Sequence, residues 1–249
     1  MGTMQWLAHF ERATERKRDI DWTRGVELPE HLRPHVVRSL AIFQRGLTSP
    51  GLNLRSKVRQ SCTPEFARCV DLYVGEKRVH SELLMRLVWE AGGSPRNRQM
   101  ADFALRRVRR RADWIWEMLV ILTAEMAASP FLRVLANTIE DPLTRQVLES
   151  MLEDQAYHLG FHIDALRPEM EQRDNVERLA MQQAWGSVFT ATLGVLLTSH
   201  RDTFRALDYQ KLTFWTDAWN LFAQVQTGLN GSQHLSAILG KDPRLKFAL

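Results

Sequence analysis

The sequence predicts an all-α protein built as a helical bundle. Three observations predict it. Apolar residues recur at spacings of three and four over long stretches, no window sustains the period-two alternation of a strand, and no repeat of solenoid period appears. The chain has 249 residues, 45% of them hydrophobic and 25% charged, with thirteen Gly and nine Pro. This is an ordinary globular composition with no convincing linker. One helical domain over 1–249 is therefore expected, with a core bundle over about 31–167 and additional helices over about 176–224.

The elements follow in order. A short helix is expected around Trp6 to Arg18, then an irregular piece, DWTRGVELPE. The first core helix covers His31 to Gly46 and ends at the breaker cluster LTSPG. The second runs from Pro64 to Ala91, with Thr63 as N-cap and Gly92-Gly93 as the stop. The third spans Asn97 to Ala127, with a kink near Pro130. The fourth starts at Asp141-Pro142, a capping residue followed by proline in the first turn, and reaches Leu166. Further helices are expected over Val176 to Thr198 and Leu212 to Gln224, and the last 25 residues read as loop and tail.

Composition narrows the function. The net charge of +4 is too small to argue for nucleic acid by itself. Two cysteines, Cys62 and Cys69, form no CxxC, so neither a disulfide framework nor a thiol site is expected. The start lacks an apolar signal core, and the run AWGSVFTATLGVLLT at 184–198 is short for a membrane span. The expectation is a soluble, cytoplasmic protein. The basic run LRRVRRR at 105–111 carries five arginines and no interleaved aromatics, which reads first as a solvated helix face and otherwise as a surface for an acidic carrier domain or other protein partner. The aromatic stretch KLTFWTDAWNLF at 211–222 reads as a packing helix or a homodimer surface rather than a membrane anchor. Trp114, Trp116 and Trp185 are candidates either to line a pocket or to fill the core.

The inner seams carry the chemistry. On the second core helix the seam reads Phe66, Val70, Tyr73, Lys77, His80, Leu84, Leu87, and on the fourth Leu148, Met151, Gln155, His158, His162, Leu166. On the third it includes Trp114, Met118 and Glu125, and on the first Val36, Leu40, Phe43 and Leu47. Lys77, His80, Glu125, Gln155, His158 and His162 are thus expected to face one interior. Buried polar groups need partners and buried charges need compensation. Lys77 and Glu125 are able to compensate each other. Glu76 and Asp154 each stand four residues before a histidine, in EKRVH and DQAYH. They are expected to flank the seam, either supporting it from behind together with Tyr73 and His162 or pairing with arginines at the surface.

These stretches resemble the ferritin-like di-iron proteins, which use a Glu from each of two helices and a Glu-x-x-His from each of two others. The resemblance rests on FQRGLTSPG at 43–51, EKRVHSELL at 76–84, LTAEMAASPFLRVLANTIEDPLTRQVL at 122–148 and DQAYHLGFH at 154–162, and covers roughly residues 20–200. It implies a ferritin-like four-helix bundle with additional packed helices. Carried over position by position, the first ligand Glu falls at Leu47, the second at Lys77 and the fourth at Gln155; His80, Glu125 and His158 are kept. Two iron ions need several anionic oxygens, and an ammonium repels them. A standard di-iron centre is therefore not expected.

Three functional classes follow. The leading expectation is a biosynthetic enzyme, with no cofactor, that reuses the pocket for acid–base chemistry of a cyclisation or isomerisation type on a small, mostly apolar molecule, with Lys77, His80, Glu125, Gln155 and His158 as the catalytic set. The second is a non-haem iron oxygenase or oxidase with metal on His80, Glu125 and His158. The third is a non-catalytic binding protein on the same scaffold. Neither nucleic acid nor membrane is an expected partner.

Overall fold

The computed structural model describes residues 1–48, 51–94 and 113–231. Among these, every extended regular element is a helix: α1 Thr3–Glu15, α2 Arg33–Leu47, α3 Leu52–Ser61, α4 Pro64–Glu90, α5 Trp114–Thr138, α6 Pro142–Glu171, α7 Asn175–Ser199, α8 Arg201–Ala206 and α9 Lys211–Leu229. A 3-10 turn at Trp22–Arg24 interrupts the segment between α1 and α2. The all-α expectation holds. The run at 105–111, the first residues of the expected third core helix and the tail beyond 231 lie outside the described residues.

Helices α5 and α6 pack along each other, and the short link between them makes them antiparallel neighbours. Helix α4 packs against α1, α2 and α3 and meets α6; α9 crosses α5 and α6, and α7 lies on α5. Most of α5 is buried, including Met118, Leu122, Met126, Phe131, Leu132 and Leu135. It is the one described helix long and apolar enough to cross a membrane, and its apolar faces are covered by other helices of this chain.

Local chemistry sets the boundaries. The Thr63 hydroxyl accepts the Phe66 N–H at 3.3 Å and starts α4, with Pro64 at N1. Helix α4 stops at Gly92, whose φ of +77° is left-handed, and at Gly93, where a Cβ would lie 2.2 Å from Val37. Asp141 opens α6 by accepting the Thr144 N–H at 2.7 Å, and its second oxygen accepts the Glu27 N–H at 2.8 Å. One buried carboxylate thus caps a core helix and ties down the irregular segment. Asp141→Ala should cost about 2 kcal/mol, from the lost cap and the stranded N–H, with Asp141→Asn recovering much of it in denaturant titrations.

Several elements differ from expectation, among them α6, which runs on past Leu166 to Glu171. Helix α5 passes through Pro130 without a break and ends at Thr138. A proline removes one intrahelical bond, but Ser129, Pro130 and Phe131 are all buried and tertiary packing holds the turn. Helix α3 was not expected: among its described side chains only Leu54 and Val58 are buried, too few for a visible period. Helix α1 ends at Glu15, so Arg16 to Arg18 leave it as extended chain. Helix α9 extends to Leu229 and buries Phe214, Ala218, Leu221, Phe222 and Val225, so the aromatic stretch is a packing helix.

Candidate functional site

Three helices bring the polar seam residues together. Helix α4 contributes Tyr73, Glu76, Lys77 and His80, which at spacings of three, one and three form a single stripe. Helix α6 contributes Asp154, Gln155, His158 and His162; α5 contributes Glu125 and Ser129. Every one of these is buried except Lys77, whose side chain is 14% exposed.

Glu125 is the centre. Its Oε1 receives the Lys77 ammonium at 2.7 Å and the Tyr73 hydroxyl at 2.8 Å, and its Oε2 receives the Gln155 amide at 3.1 Å. The Ser129 hydroxyl lies 2.9 Å from Gln155 Oε1, which fixes the amide with its NH2 toward Glu125. Burial pushes the Glu125 carboxyl up, but the Lys77 charge, with His158 beside it, outweighs burial and holds it well below the usual range.

Two histidine–carboxylate pairs flank this centre. His80 Nε2 donates to Asp154 Oδ2 at 2.7 Å, and His158 Nε2 donates to Glu76 Oε2 at 2.9 Å. The two rings lie 5.5 Å apart, centroid to centroid. Glu76 and Asp154 flank the seam and support its histidines from behind, one of the two roles expected for them, but both are buried rather than at the surface. Helix α4 is covered by α1, α2, α3 and α6, so its flanks are interior too. Each acid also reaches across to the histidine of the other helix rather than to the one four residues on.

Sequence reasoning missed a further contributor. Arg18, in the extended chain after α1, donates to Asp154 Oδ2 at 2.5 Å and to Ser150 Oγ at 2.7 Å, and stands 3.7 Å from Glu76 Oε1. Arg16 donates to the other Asp154 oxygen. The strap formed by Arg16 and Arg18 neutralises both flanking acids. Phe10 of α1 covers the same end, 6.5 Å from the His158 ring. The cluster of arginines in ERKRDI was the only available signal, and it carries no period that points at α6.

The three imidazoles are driven apart. Burial lowers His80 to about 4 against the pull of Asp154, and lowers His162 to about 3. His158 feels the same burial, but the negative charges of Glu125 and Glu76 outweigh it and raise its pKa. His158 Nδ1 is 3.8 Å from Glu125 Oε2, too long for a hydrogen bond, so the attraction there is Coulombic. Burial also raises Asp154, yet the His80 hydrogen bond and then the arginines hold it below its ordinary range; His158 does the same for Glu76. His80 Nδ1, His158 Nδ1 and both nitrogens of His162 have no hydrogen-bond partner among the described residues. His162 lies edge-on to Tyr73, 5.1 Å between centroids.

A di-iron pair does not fit these residues. Leu47 is half-buried and apolar where the resemblance implies a ligand, and Gln155 and Lys77 stand at two others. The one retained ligand carboxylate, Glu125, already receives three donors on its two oxygens. Among the described residues, no group of three or more His, Cys, Asp or Glu side chains is arranged to hold a metal ion. A mononuclear site on His80, Glu125 and His158 meets the same obstacle at Glu125.

The other candidate residues stand apart from this cluster. Trp185 is buried, donates to Thr123 Oγ1 at 2.7 Å and packs 4.7 Å from Phe222; Trp114 and Trp116 are half-buried. Both cysteines are free, and burial raises the Cys69 thiol to about 11, which makes it a poor nucleophile. A second polar cluster joins Ser39, His200 and Thr203. Thr203 donates to the His35 carbonyl at 2.9 Å and so accepts from Ser39, which makes His200 Nδ1–H the donor to Ser39. That imidazole therefore cannot take the serine proton, and the group ties α2 to α8.

Fold and site together define a class: an all-α protein with an ion-pair and imidazole network buried between three of its helices. No family model, no curated protein and no solved structure matches the chain.

Proposed function

We propose that the chain is a ferritin-like enzyme of small-molecule biosynthesis whose former metal position serves as a metal-independent acid–base site. The observation that carries this reading is the divergence of three neighbouring imidazoles, His158 raised and His80 and His162 lowered. Groups pushed apart within one buried cluster supply an acid and a base at the same pH. Asp154 fixes the His80 tautomer and leaves Nδ1 as a bare acceptor, the orientation a general base needs. His158, held by Glu76, supplies a proton. Lys77, whose ammonium carries N–H groups beyond the one directed at Glu125, is the donor for a developing oxyanion. Proton removal at one carbon with return at another atom leaves composition unchanged, so the reaction class is isomerisation or cyclisation. The apolar surroundings of Phe10, Phe161 and Leu84 suit a small, mostly apolar substrate.

The test is mass-resolved. Chelator-treated protein incubated with metabolite extracts should convert a compound into an isomer of the same mass. That conversion should vanish in His158→Asn and Lys77→Met variants that retain wild-type near-UV circular dichroism. Imidazole NMR should show His158 titrating above its ordinary value and His80 and His162 below theirs. Products that gain one oxygen or lose two hydrogens, formed only after ferrous iron is restored, would replace this reading with the oxygenase. A non-catalytic binder draws support from the pairing of each site carboxylate within the chain, and it requires ligand capture without conversion.

A further inference from the structure

We propose that α1 and the arginine strap behind it form a lid, and that substrate reaches the buried site when residues 1–18 lift away from α4 and α6. The proposal rests on the acid–base reading of that site. The site is closed: each of its side chains is buried except Lys77, so part of the cover has to move before a substrate enters. Helix α1 is the part that lies over the histidines. Helices α4 and α6 share a narrower contact than α5 and α6 do, and side chains of α1 fill the gap. Phe10 is the plug. Its ring lies 6.5 Å from His158, 6.4 Å from Tyr73 and 5.1 Å from Phe161, centroid to centroid.

This cover is held lightly. Only Trp6 and Phe10 are buried on α1, whereas most of α5 is. Elements with few buried apolar contacts open at the least cost. Beyond ring contacts with Tyr157 and Phe161, the ties of the segment to α6 are polar. The Trp6 indole N–H donates to Asp164 Oδ2 at 3.1 Å, and Arg16 and Arg18 hold Asp154. Water is able to replace each of these partners as the segment lifts.

The chain also has a place to bend. Residues 16–21 form no helix, and past them the chain is fastened separately. The Asp21 N–H donates to Gln146 Oε1 at 3.2 Å, the Arg86 guanidinium lies 4.1 Å over the Trp22 ring, and the Glu27 N–H is held by Asp141. Arg16 and Arg18 stand just before this anchor and act as the latch. Opening takes the guanidiniums from Asp154 and Glu76 and admits water to the imidazoles. Closing over a substrate restores the buried charge pattern and expels water, so the acid and the base are assembled only around a bound molecule.

Labelling without turnover tests the lid. Cys69 lies under α1, fully buried, with its Sγ 3.5 Å from the Thr3 carbonyl oxygen. His158 lies under Phe10. His200, buried between α2 and α8 outside the lid, reports global unfolding. The native protein is treated with N-ethylmaleimide or diethyl pyrocarbonate and read by peptide mass spectrometry. Cys69 and His158 should be labelled faster than His200, with little response to low urea, while His200 follows urea steeply. Added salt in the wild type, and Arg18→Gln separately, should speed Cys69 and His158 by a common factor, about tenfold for the variant. Cys69 and His158 labelled no faster than His200 would overturn the proposal. So would a His158 rate that ignores both salt and Arg18→Gln while Cys69 responds, because the reagent then enters elsewhere. No step of this test uses the isomerising activity, so failure of the lid and failure of the acid–base reading are seen separately.

Discussion

Lys77→Met is expected to lower stability by about 3–5 kcal/mol, measured by denaturant unfolding at neutral pH, the range for removing one partner of a buried ion pair. The cause is Glu125, which would keep a fully buried charge with only the Tyr73 and Gln155 hydrogen bonds to hold it. The converse change should be milder. In Glu125→Gln the ammonium left behind stands at the edge of the site and is able to turn toward solvent. The double variant Lys77→Met/Glu125→Gln should recover much of the loss, because a neutral amide suits the tyrosine and glutamine donors. Equal costs for the two single variants, with no recovery in the double, would show that the pair is not the neutralising element of the core.

Acid should weaken the protein from about pH 6.5 downward, well before the carboxylates titrate. His80, His162 and His200 have pKa values lowered from 6.5 to about 4, about 3 and about 4. Burial is the first cause in each. The unfolded chain binds protons at these positions from pH 6.5, and the folded protein does not until far lower. Their contribution is therefore complete above that pH and is lost as pH falls toward the folded values. Each histidine surrenders about 1.4 kcal/mol for every pH unit that separates its folded pKa from its unfolded one. His158 has the opposite sign: its raised pKa favours the folded state below the ordinary imidazole value and offsets part of the loss. Glu76, Glu125 and Asp154, all lowered, add a second loss once pH falls beneath the ordinary carboxylate range. His162→Leu isolates the effect, since neither ring nitrogen has a hydrogen-bond partner among the described residues. It should raise stability at about pH 5 and flatten the slope, and under the proposed function it should impair turnover as well. A denaturation midpoint that stays flat from about pH 7 to about pH 5 in the wild type would sink this account.

Much of this was legible in the sequence because helices repeat. Tyr73, Lys77 and His80, with Gln155, His158 and His162, interrupt apolar rows at spacings that fix them to one face, and Glu125 follows from the same row on α5. Lys77 and Glu125 pair as their charges predict. Glu76 and Asp154 were legible only as two alternatives, support for the seam or partners of surface arginines, because a seam assumes one covered face, whereas α4 is enclosed on several sides. Their histidine partners lie on another helix, and sequence spacing reports only neighbours on the same one. Arg16 and Arg18 were out of reach for a different reason. Extended chain has no period, and their positions depend on α1 ending at Glu15. Helix α3 shows the limit from the other side, since Leu54 and Val58 alone cannot distinguish a helix from a loop.

The arginine strap also bears on how the chain assembles. Arg18 meets Asp154 across 136 residues of sequence, and Trp6 meets Asp164 across 158. Closing loops of that length is entropically costly until other structure has brought the ends together. Helices α5 and α6, joined by a short link, are free to pair early. The strap therefore docks late, onto a bundle already formed. Until it does, Asp154 and Glu76 face water without their guanidinium partners, where they are well solvated. Dehydration of the two flanking acids is deferred to the final step of folding, when the neutralising charge arrives with the segment that excludes the water.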